Sequence, residues 1–285
     1  MIFVRGNKLF IGHVGDSSIV LGEGDTLYKC WHANRVTRDH KPEDPLELKR
    51  IREGGGNVLC KAGVHRVVWN RQKVLSSSNH SRHEQTRTTI EYEQIPFLAV
   101  SRALGDLWSL NSNTNVYSVS PEPELTVIEI DPNKHRCLIL ASDGLWNMIT
   151  PEVAVDIVRK CDVQTEELIL KSEVSEATLS FSVAHSHSIY KDDDDRPFRN
   201  PSHELVQKAL TLWRQRMLRA DNITCITVML DPPGPPFSDC ILNKKKQNHP
   251  SSTLSCTCSH SSCATQSFLI FCLFSVDLFR RQCSM

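Results

Sequence analysis

The sequence predicts an α+β fold in which strands come first and amphipathic helices then alternate irregularly with further strands. Short apolar runs punctuated by Gly, Asp and Pro indicate strands in the first half, and helical periodicity is clearest after residue 150. This order lacks the regular strand–helix–strand repeat of a parallel sheet. The 285 residues are 40% hydrophobic, and 33 basic residues balance 33 acidic ones. The balanced charge gives no support to binding of nucleic acid or of a membrane surface.

Two apolar runs near the N-terminus, Lys8–Val14 and Ser18–Leu21, flank Gly15-Asp16-Ser17. We interpret them as a hairpin with the Asp16 carboxylate at its tip. A helix is then expected to begin after Asp44, because Pro follows it directly and Glu47 lies three residues further on. The three glycines that start at Gly54 should end this helix.

A second hairpin is predicted from Val58 to Trp69, with its turn at Gly63. The next stretch, Asn70–Thr89, has no apolar periodicity and is predicted to be a basic surface loop. Composition alone does not decide whether this is a solvated loop without a partner or a functional loop. The basic residues of interest in it are Arg71, Lys73, Arg82 and Arg87.

Strands are expected at Leu125–Ile130 and at Cys137–Ala141. The second strand stops at Ser142-Asp143-Gly144, which delivers one carboxylate to the end of a buried strand. Asp-Gly after a strand is a turn signal, and a carboxylate in that place is also a ligand for a divalent cation. The residues of this stretch do not decide between the two interpretations.

Thr150 is a suitable N-cap for a helix with an apolar face, formed by Ala154, Ile157, Val158 and Cys161. Residues 162–201 lose periodicity and are predicted to form an irregular loop. Another helix, capped by Ser202, follows and carries Leu205, Ala209, Leu212 and Trp213 inward. Asp221 then precedes Ile223–Leu230, an apolar run predicted to be a buried strand.

These elements suggest one domain over residues 1–231 and a Pro-rich, then Ser/Cys-rich tail over 232–285 without packed structure. Six of the eleven cysteines lie in that tail. The domain therefore has the cysteine content of an ordinary intracellular protein and no pattern that indicates disulfides. The N-terminus lacks the pattern of a signal peptide. The largely apolar stretch Phe268–Val276 has nine residues, too few to cross a bilayer, which takes about 20.

Five motifs resemble, in order and with compatible spacing, those of the metal-dependent (type 2C) serine/threonine protein phosphatase family. They are His13-Val14-Gly15-Asp16-Ser17, Asp39-His40-Lys41-Pro42, Ser101-Arg102-Ala103-Leu104-Gly105-Asp106, Ser142-Asp143-Gly144-Leu145-Trp146 and Ala220-Asp221-Asn222. The resemblance implies a four-layer α-β-β-α sandwich of two antiparallel sheets flanked by helices. Within the family, the stretches Ile95–Trp108, Gly63–Trp69 and Trp213–Asn222 look most like the DNA-damage-induced delta isoforms.

The same resemblance implies a centre of two or more Mg²⁺ or Mn²⁺ ions that activates water for the hydrolysis of phosphoserine and phosphothreonine in proteins. Asp143 and Asp221 match ligands of the two-metal centre, and Asp16 matches a residue that helps to hold a further, weaker metal. Arg102 and Asp106 match a motif that borders the flap beside the cleft, and are assigned to structure or substrate positioning. The basic loop Arg71–Arg87 falls where the delta isoform carries a basic insertion near the flap, so the resemblance implies docking of a phosphorylated, acidic peptide there. The family resemblance also suggests a monomer with phosphoprotein substrates and a nuclear or cytosolic location, or both.

The sequence departs from the family pattern at its start. The family opens with a segment that supplies a phosphate-binding Arg, further ligands and an Asp-Gly-His-Gly turn, and this segment is not found here. One hypothesis is therefore a truncated homologue with weak or no activity, since Asp143 and Asp221 give few carboxylates for two metals. The alternative is a non-catalytic binder that holds phosphoproteins through the basic loop.

Overall fold

The structure is a computed structural model that describes residues 1–24, 30–75, 89–171, 199–217, 219–230 and 267–270. It divides into two compact units, residues 1–10, 18–37 and 127–285 in the first, and residues 11–17 and 38–126 in the second. Antiparallel sheets and helices make up both units, which confirms the predicted α+β class. None of the helices described is long and apolar enough to cross a membrane.

The strands are β1 (Ile2–Arg5), β2 (Lys8–His13), β3 (Ser18–Gly24), β4 (Trp31–Arg35), β5 (Val58–Lys61), β6 (Val64–Leu75), β7 (Thr89–Leu98), β8 (Leu110–Asn111), β9 (Val116–Tyr117), β10 (Glu124–Glu129), β11 (His135–Ala141), β12 (Cys225–Met229) and β13 (Ser267–Ile270). The helices are α1 (Pro45–Glu53), α2 (Asp143–Trp146), α3 (Pro151–Lys171) and α4 (Pro201–Gln215), with a 3₁₀ turn at Leu107–Ser109.

The core of the first unit lies between helices α3 and α4 and the sheet of order β12-β11-β3-β4. The inner strand β11 is apolar because both of its faces are covered, and Ile139 and Ala141 are fully buried. The helices contribute Val158 and Leu205, both also fully buried. The edge strand β12 confirms the strand predicted over Ile223–Leu230, but it is shorter, Cys225–Met229, and is only half-buried.

The predicted hairpin of Lys8–Val14 and Ser18–Leu21 was wrong. Strand β2 belongs to the sheet of order β10-β2-β1-β13, whereas β3 pairs with β11 and β4. In the intervening turn, the N–H of Gly15 donates to the imidazole of His40 and not to a backbone carbonyl of a paired strand. In the tail, the structure describes β13, which pairs antiparallel with β1.

In the second unit, β5, β6 and β7 form an antiparallel sheet. The β5–β6 turn uses left-handed backbone at Ala62 (φ 52°) and Gly63 (φ 80°), which confirms the turn predicted at Gly63. The predicted loop Asn70–Thr89 was too long, because β6 continues to Leu75 and β7 begins at Thr89. The pairing of Arg71 with Glu93 across these strands accompanies the extension of β6.

Two helix predictions need correction. Helix α3 continues to Lys171, so the irregular stretch does not begin at residue 162. The N-cap of α4 is Asn200, whose side chain accepts from the N–H groups of Ser202 and His203. The hydroxyl of Ser202 instead donates to the hydroxyl of Thr227 on β12 and accepts from the N–H of the same residue. The predicted caps Asp44 and Thr150 are confirmed.

Glu47 of α1 is a buried carboxylate, 1% exposed, that collects several donors. Its Oε2 accepts from the Arg50 guanidinium at 2.9 Å and from the Ser101 hydroxyl at 2.8 Å, and its Oε1 accepts from Arg102 at 2.6 Å. Burial raises the pKa of Glu47, but the hydrogen bonds from Arg102, Arg50 and Ser101 outweigh burial and lower this pKa to about 2. Glu47 therefore does not reach back to cap α1. It joins the helix to the Ser101-Arg102 segment as a carboxylate that is ionised at neutral pH.

We expect Glu47→Gln to lower the free energy of unfolding by about 3 kcal/mol, because one partner of a buried ion pair is removed while the arginines stay in place. Urea titration followed by tryptophan fluorescence measures this loss. The matched control is Glu53→Gln in the same helix, since Glu53 is 67% exposed and pairs with Lys49 at 3.8 Å. Equal losses in the two variants would contradict the structural role of Glu47.

Candidate functional site

Asp143 lies at the end of the central strand β11, where it begins the short helix α2. The strand itself is buried, so the carboxylate stands where the apolar run meets the edge of the sheet. The indole N–H of Trp146 holds the following turn in place by donating to the carbonyls of Ala141 and Ser18, at 3.0 and 3.2 Å. Asp143 is half-buried.

Asp221 lies on the loop that leads into β12, next to the end of β11. The antiparallel register pairs Ala141 with Cys225, which places the start of β12 beside the end of β11. The hydroxyl of Ser142 donates to the carbonyl of Asn222 at 3.0 Å and accepts from the N–H of Thr224 at 3.1 Å. The structure therefore brings Asp143 and Asp221 onto two loops that are joined at one edge of the sheet.

Gly144 allows the two loops to approach each other this closely. A Cβ atom at this position would lie 2.3 Å from the carbonyl oxygen of Asn222, which is a backbone atom and has little freedom to shift. The carbonyl of Gly144 accepts from the indole N–H of Trp213 on α4 at 2.8 Å. The glycine of the Ser142-Asp143-Gly144 motif is thus required by packing as well as by the turn.

The donor chemistry of this edge suits a hard cation, because both side chains are carboxylates. Asp221 is exposed, and one of its oxygens accepts from the N–H of Asn222 at 2.8 Å. Across the parts of the chain that the structure describes, no three His, Cys, Asp or Glu side chains lie together as a metal site. The two aspartates fit part of a metal centre and do not by themselves complete one.

Asp16, the third predicted ligand, belongs to the second unit, in the turn that follows β2. Its Oδ2 pairs with the ammonium of Lys41 at 2.5 Å. The preceding Gly15 has φ +93°, a backbone conformation that favours glycine. His40 contacts this glycine twice, since its Nδ1 accepts from the Gly15 N–H at 3.1 Å and its own N–H donates to the Gly15 carbonyl at 2.9 Å.

His13 lies on the other side of this turn. Its Nε2 bonds to the carbonyl of Ser17, so Nε2 carries the proton and Nδ1 holds a lone pair. The two imidazole rings stack with their centroids 4.8 Å apart. Burial, the largest cause, and the neighbouring His40 together lower the pKa of His13 to about 4, against the opposite effects of the Ser17 carbonyl and Glu124. Burial, followed by the charge of Arg102, also lowers the pKa of His40.

Arg102 and Asp106, predicted to border a flap, are engaged within the second unit. The guanidinium of Arg102 donates to Glu47 and to the carbonyl of Glu122 at 3.0 Å. The carboxylate of Asp106 accepts from the indole of Trp108 at 2.7 Å. These contacts support a structural role for both residues, and a contact with substrate stays a prediction.

Among the basic residues predicted to bind substrate, the structure describes the side chain of Arg71. It donates to Glu93 at 2.8 Å, and both side chains are about half exposed. Lys73 lies on the backbone of β6, but its side chain lies outside the described part of the structure, as do Arg82 and Arg87. The predicted phosphopeptide site therefore remains a prediction.

Comparison with known proteins identifies the family. The model of the protein phosphatase 2C family matches residues 1–187. The chain belongs to the protein phosphatase 2C family. This match contains the motifs around Asp16, Asp39, Arg102 and Asp143, whereas Asp221 lies beyond it.

Similar sequences include the rice protein named probable protein phosphatase 2C 49, which is 34% identical over 158 residues, and protein phosphatase 2C 37 of Arabidopsis thaliana, which is 32% identical over 158 residues. Each alignment covers 55% of this chain but only 28% and 29% of those proteins, so the chain spans less than a third of their length. A serine-threonine phosphatase 2C of Toxoplasma gondii has a similar structure, with TM-score 0.50 and 26% identity over 79% of this chain and 55% of that one. This similarity supports the predicted fold of the protein phosphatase 2C family.

The roles of Ser142 and His40 were not identified from sequence, although both residues stand inside the quoted motifs. Ser142 precedes Asp143 directly, and His40 precedes Lys41. Their partners are 80 and 25 residues away along the chain. Motif spacing contains no information about such pairs, so only the location of Ser142 and His40 near the candidate ligands could be predicted.

We expect Ser142→Ala to weaken the junction between the loops of Asp143 and Asp221, because the carbonyl of Asn222 and the N–H of Thr224 each lose their hydroxyl partner. Two lost hydrogen bonds at a buried position correspond to about 2 kcal/mol in the free energy of unfolding. Amide hydrogen exchange should also become faster at Thr224. Ser112→Ala is the control, since Ser112 is exposed in a turn. Unchanged exchange at Thr224 would argue against the junction.

The free energy of unfolding should fall as the pH is lowered below about 6.5, because the unfolded chain binds a proton that folded His13 excludes until its pKa of about 4. Through His13 alone the loss between pH 7 and pH 5 should be about 2 kcal/mol. Urea titrations at both pH values measure it. His13→Gln should reduce this pH dependence, whereas His32→Gln, at an exposed position, should not. The same dependence in all three proteins would contradict the assignment.

Proposed function

We propose that the chain forms part of a metal-dependent protein serine/threonine phosphatase that hydrolyses phosphoserine and phosphothreonine in proteins. The observation that carries this proposal is the junction of the loops of Asp143 and Asp221 through Ser142. Two carboxylates on neighbouring, hydrogen-bonded loops are a suitable start for a site that binds hard cations. Membership in the protein phosphatase 2C family supports the reaction class.

Bound Mg²⁺ or Mn²⁺, in two or more sites, supplies Lewis acidity and an activated water in centres of this kind. The fold of the chain holds the carboxylates that would bind these ions. Asp143 is held by strand β11 and by the Trp146 indole, and Asp221 by the bonds between Ser142 and its neighbours. Asp16 is assigned to a further, weaker site, where Lys41 competes with a metal for the same carboxylate.

The finer assignments belong to the same proposal. The substrates are phosphorylated proteins, and the chain acts as a monomer, without binding nucleic acid or membranes, in the nucleus or cytosol or in both. Similarity of the stretches Gly63–Trp69, Ile95–Trp108 and Trp213–Asn222 supports placement with the delta isoforms of the family. We further propose that the 285-residue chain alone hydrolyses slowly, because Asp143 and Asp221 supply only part of a ligand set.

The proposal predicts that hydrolysis of a phosphothreonine peptide appears on addition of Mn²⁺ and disappears with a chelator. Asp143→Asn and Asp221→Asn should each lower the rate by at least about 100-fold, because each removes a charged ligand. The matched control is Asp156→Asn on α3, where the carboxylate pairs with Arg159 and Lys160 at the surface. Phosphate release measured against Mn²⁺ concentration is the readout.

Hydrolysis that persists in chelator, or in both active-site variants, would overturn the proposed chemistry. A rate equal to that of a full-length family member would overturn the proposed slow hydrolysis. Peptide binding that is insensitive to chelator and occurs without hydrolysis would favour the alternative of a non-catalytic binder. That alternative further requires loss of binding in Arg82→Ala and Arg87→Ala.

A further inference from the structure

The turn that carries Asp16 is held on three sides by side chains of the second unit. His40 bonds to Gly15 before the aspartate, His13 bonds to Ser17 after it, and Lys41 bonds to the carboxylate itself. The two histidines are buried, with His40 fully buried and His13 8% exposed. The contacts of His13 and His40 are directed at the backbone of the turn, so they restrict its path independently of the Asp16 side chain.

The contact between His40 and Gly15 is reciprocal. The imidazole Nδ1 accepts from the N–H of Gly15, while the backbone N–H of His40 donates to the carbonyl of the same glycine. Accepting at Nδ1 requires a lone pair there, so the proton of neutral His40 is on Nε2. Nε2 lies 3.2 Å from a carboxylate oxygen of Glu124, which accepts this proton in a hydrogen bond.

The position of His40 is itself fixed by several neighbours. Its carbonyl accepts from the N–H of Ser101 at 2.8 Å, and its ring stacks on His13. Ser101 in turn donates its hydroxyl to the buried carboxylate of Glu47. A continuous series of hydrogen bonds therefore runs from helix α1 through Ser101 and His40 to the backbone of Gly15.

We propose that His40 is a positioning residue that sets the backbone of the Asp16 turn through its Nδ1 acceptor. A histidine that only filled space in the core would not need an acceptor aimed at a backbone N–H of the turn. Gly15 has left-handed backbone (φ +93°), and its N–H is directed at an imidazole, not across a hairpin. The consequence for metal binding at Asp16 rests on the proposed function, whereas the position of the turn does not.

Two substitutions at His40 separate the bond to Gly15 from the bond to Glu124. In His40→Asn, the side-chain oxygen takes the place of Nδ1 and keeps the acceptor for Gly15. In His40→Gln, the amide nitrogen takes the place of Nε2 and keeps the donor to Glu124, but the acceptor for Gly15 is lost. Both variants lose the ring and its stacking on His13, so each is the matched control for the other.

The first readout is amide hydrogen exchange at Gly15 in the full chain, measured by NMR. Exchange should become about tenfold faster in His40→Gln than in His40→Asn, as expected for loss of one buried hydrogen bond. The second readout is the Mn²⁺ concentration that gives half-maximal hydrolysis of a phosphothreonine peptide. This concentration should rise in His40→Gln and stay closer to the wild-type value in His40→Asn.

Equal exchange at Gly15 in the two variants would overturn the positioning role, whatever the activity shows. Absence of Mn²⁺-dependent hydrolysis in the wild-type chain, with the exchange difference present, would overturn the proposed function and leave the role of His40 standing. The imidazole nitrogens of the wild-type protein give a test that needs no variant. A neutral His40 with its proton on Nε2 is expected, and a proton on Nδ1 would overturn the proposal.

Discussion

The second unit depends on one buried charge, the carboxylate of Glu47. A carboxylate that is 1% exposed is stable only if its oxygens are satisfied, and two arginines and a serine hydroxyl do this. The carboxylate binds both residues of the Ser101-Arg102 segment, and its partner Arg50 also donates to the carbonyl of Ser101. The location of His40, and with it the Asp16 turn, follows from where Ser101 is held.

The two units present their aspartates in different ways. In the first unit, Asp143 and Asp221 are placed by strand pairing, and one hydroxyl completes the junction between their loops. In the second unit, the turn of Asp16 has no pairing strand and is held by imidazoles and an ammonium group. Backbone pairing tolerates most side chains, whereas the second arrangement depends on the identities of His13, His40 and Lys41.

Sequence alone predicted the parts of the structure that depend on local signals. The caps Asp44 and Thr150, the turn at Gly63 and the strand before Asp143 were correct because propensity and periodicity fix them over a few residues. The hairpin around Asp16 was wrong because the choice of partner strand is non-local, and β3 pairs with β11 more than 100 residues later. For the same reason Glu47 was interpreted as a capping residue, although its donors Ser101 and Arg102 lie 54 and 55 residues away.

Arg102 and Arg71 differ in the contacts that each would lose on binding a phosphate group. To bind a phosphate, Arg102 has to leave the buried carboxylate of Glu47, which keeps Arg50 and Ser101 but loses two charge-assisted hydrogen bonds at a cost of about 3 kcal/mol or more. Arg71 has to leave only Glu93, a pair that is about half exposed and contributes no more than about 1 kcal/mol. A phosphate group offers at least as much charge as the carboxylate it displaces. Of these two, Arg71 therefore gives up its carboxylate partner at the lower cost, while Arg102 keeps the Ser101-Arg102 segment in place.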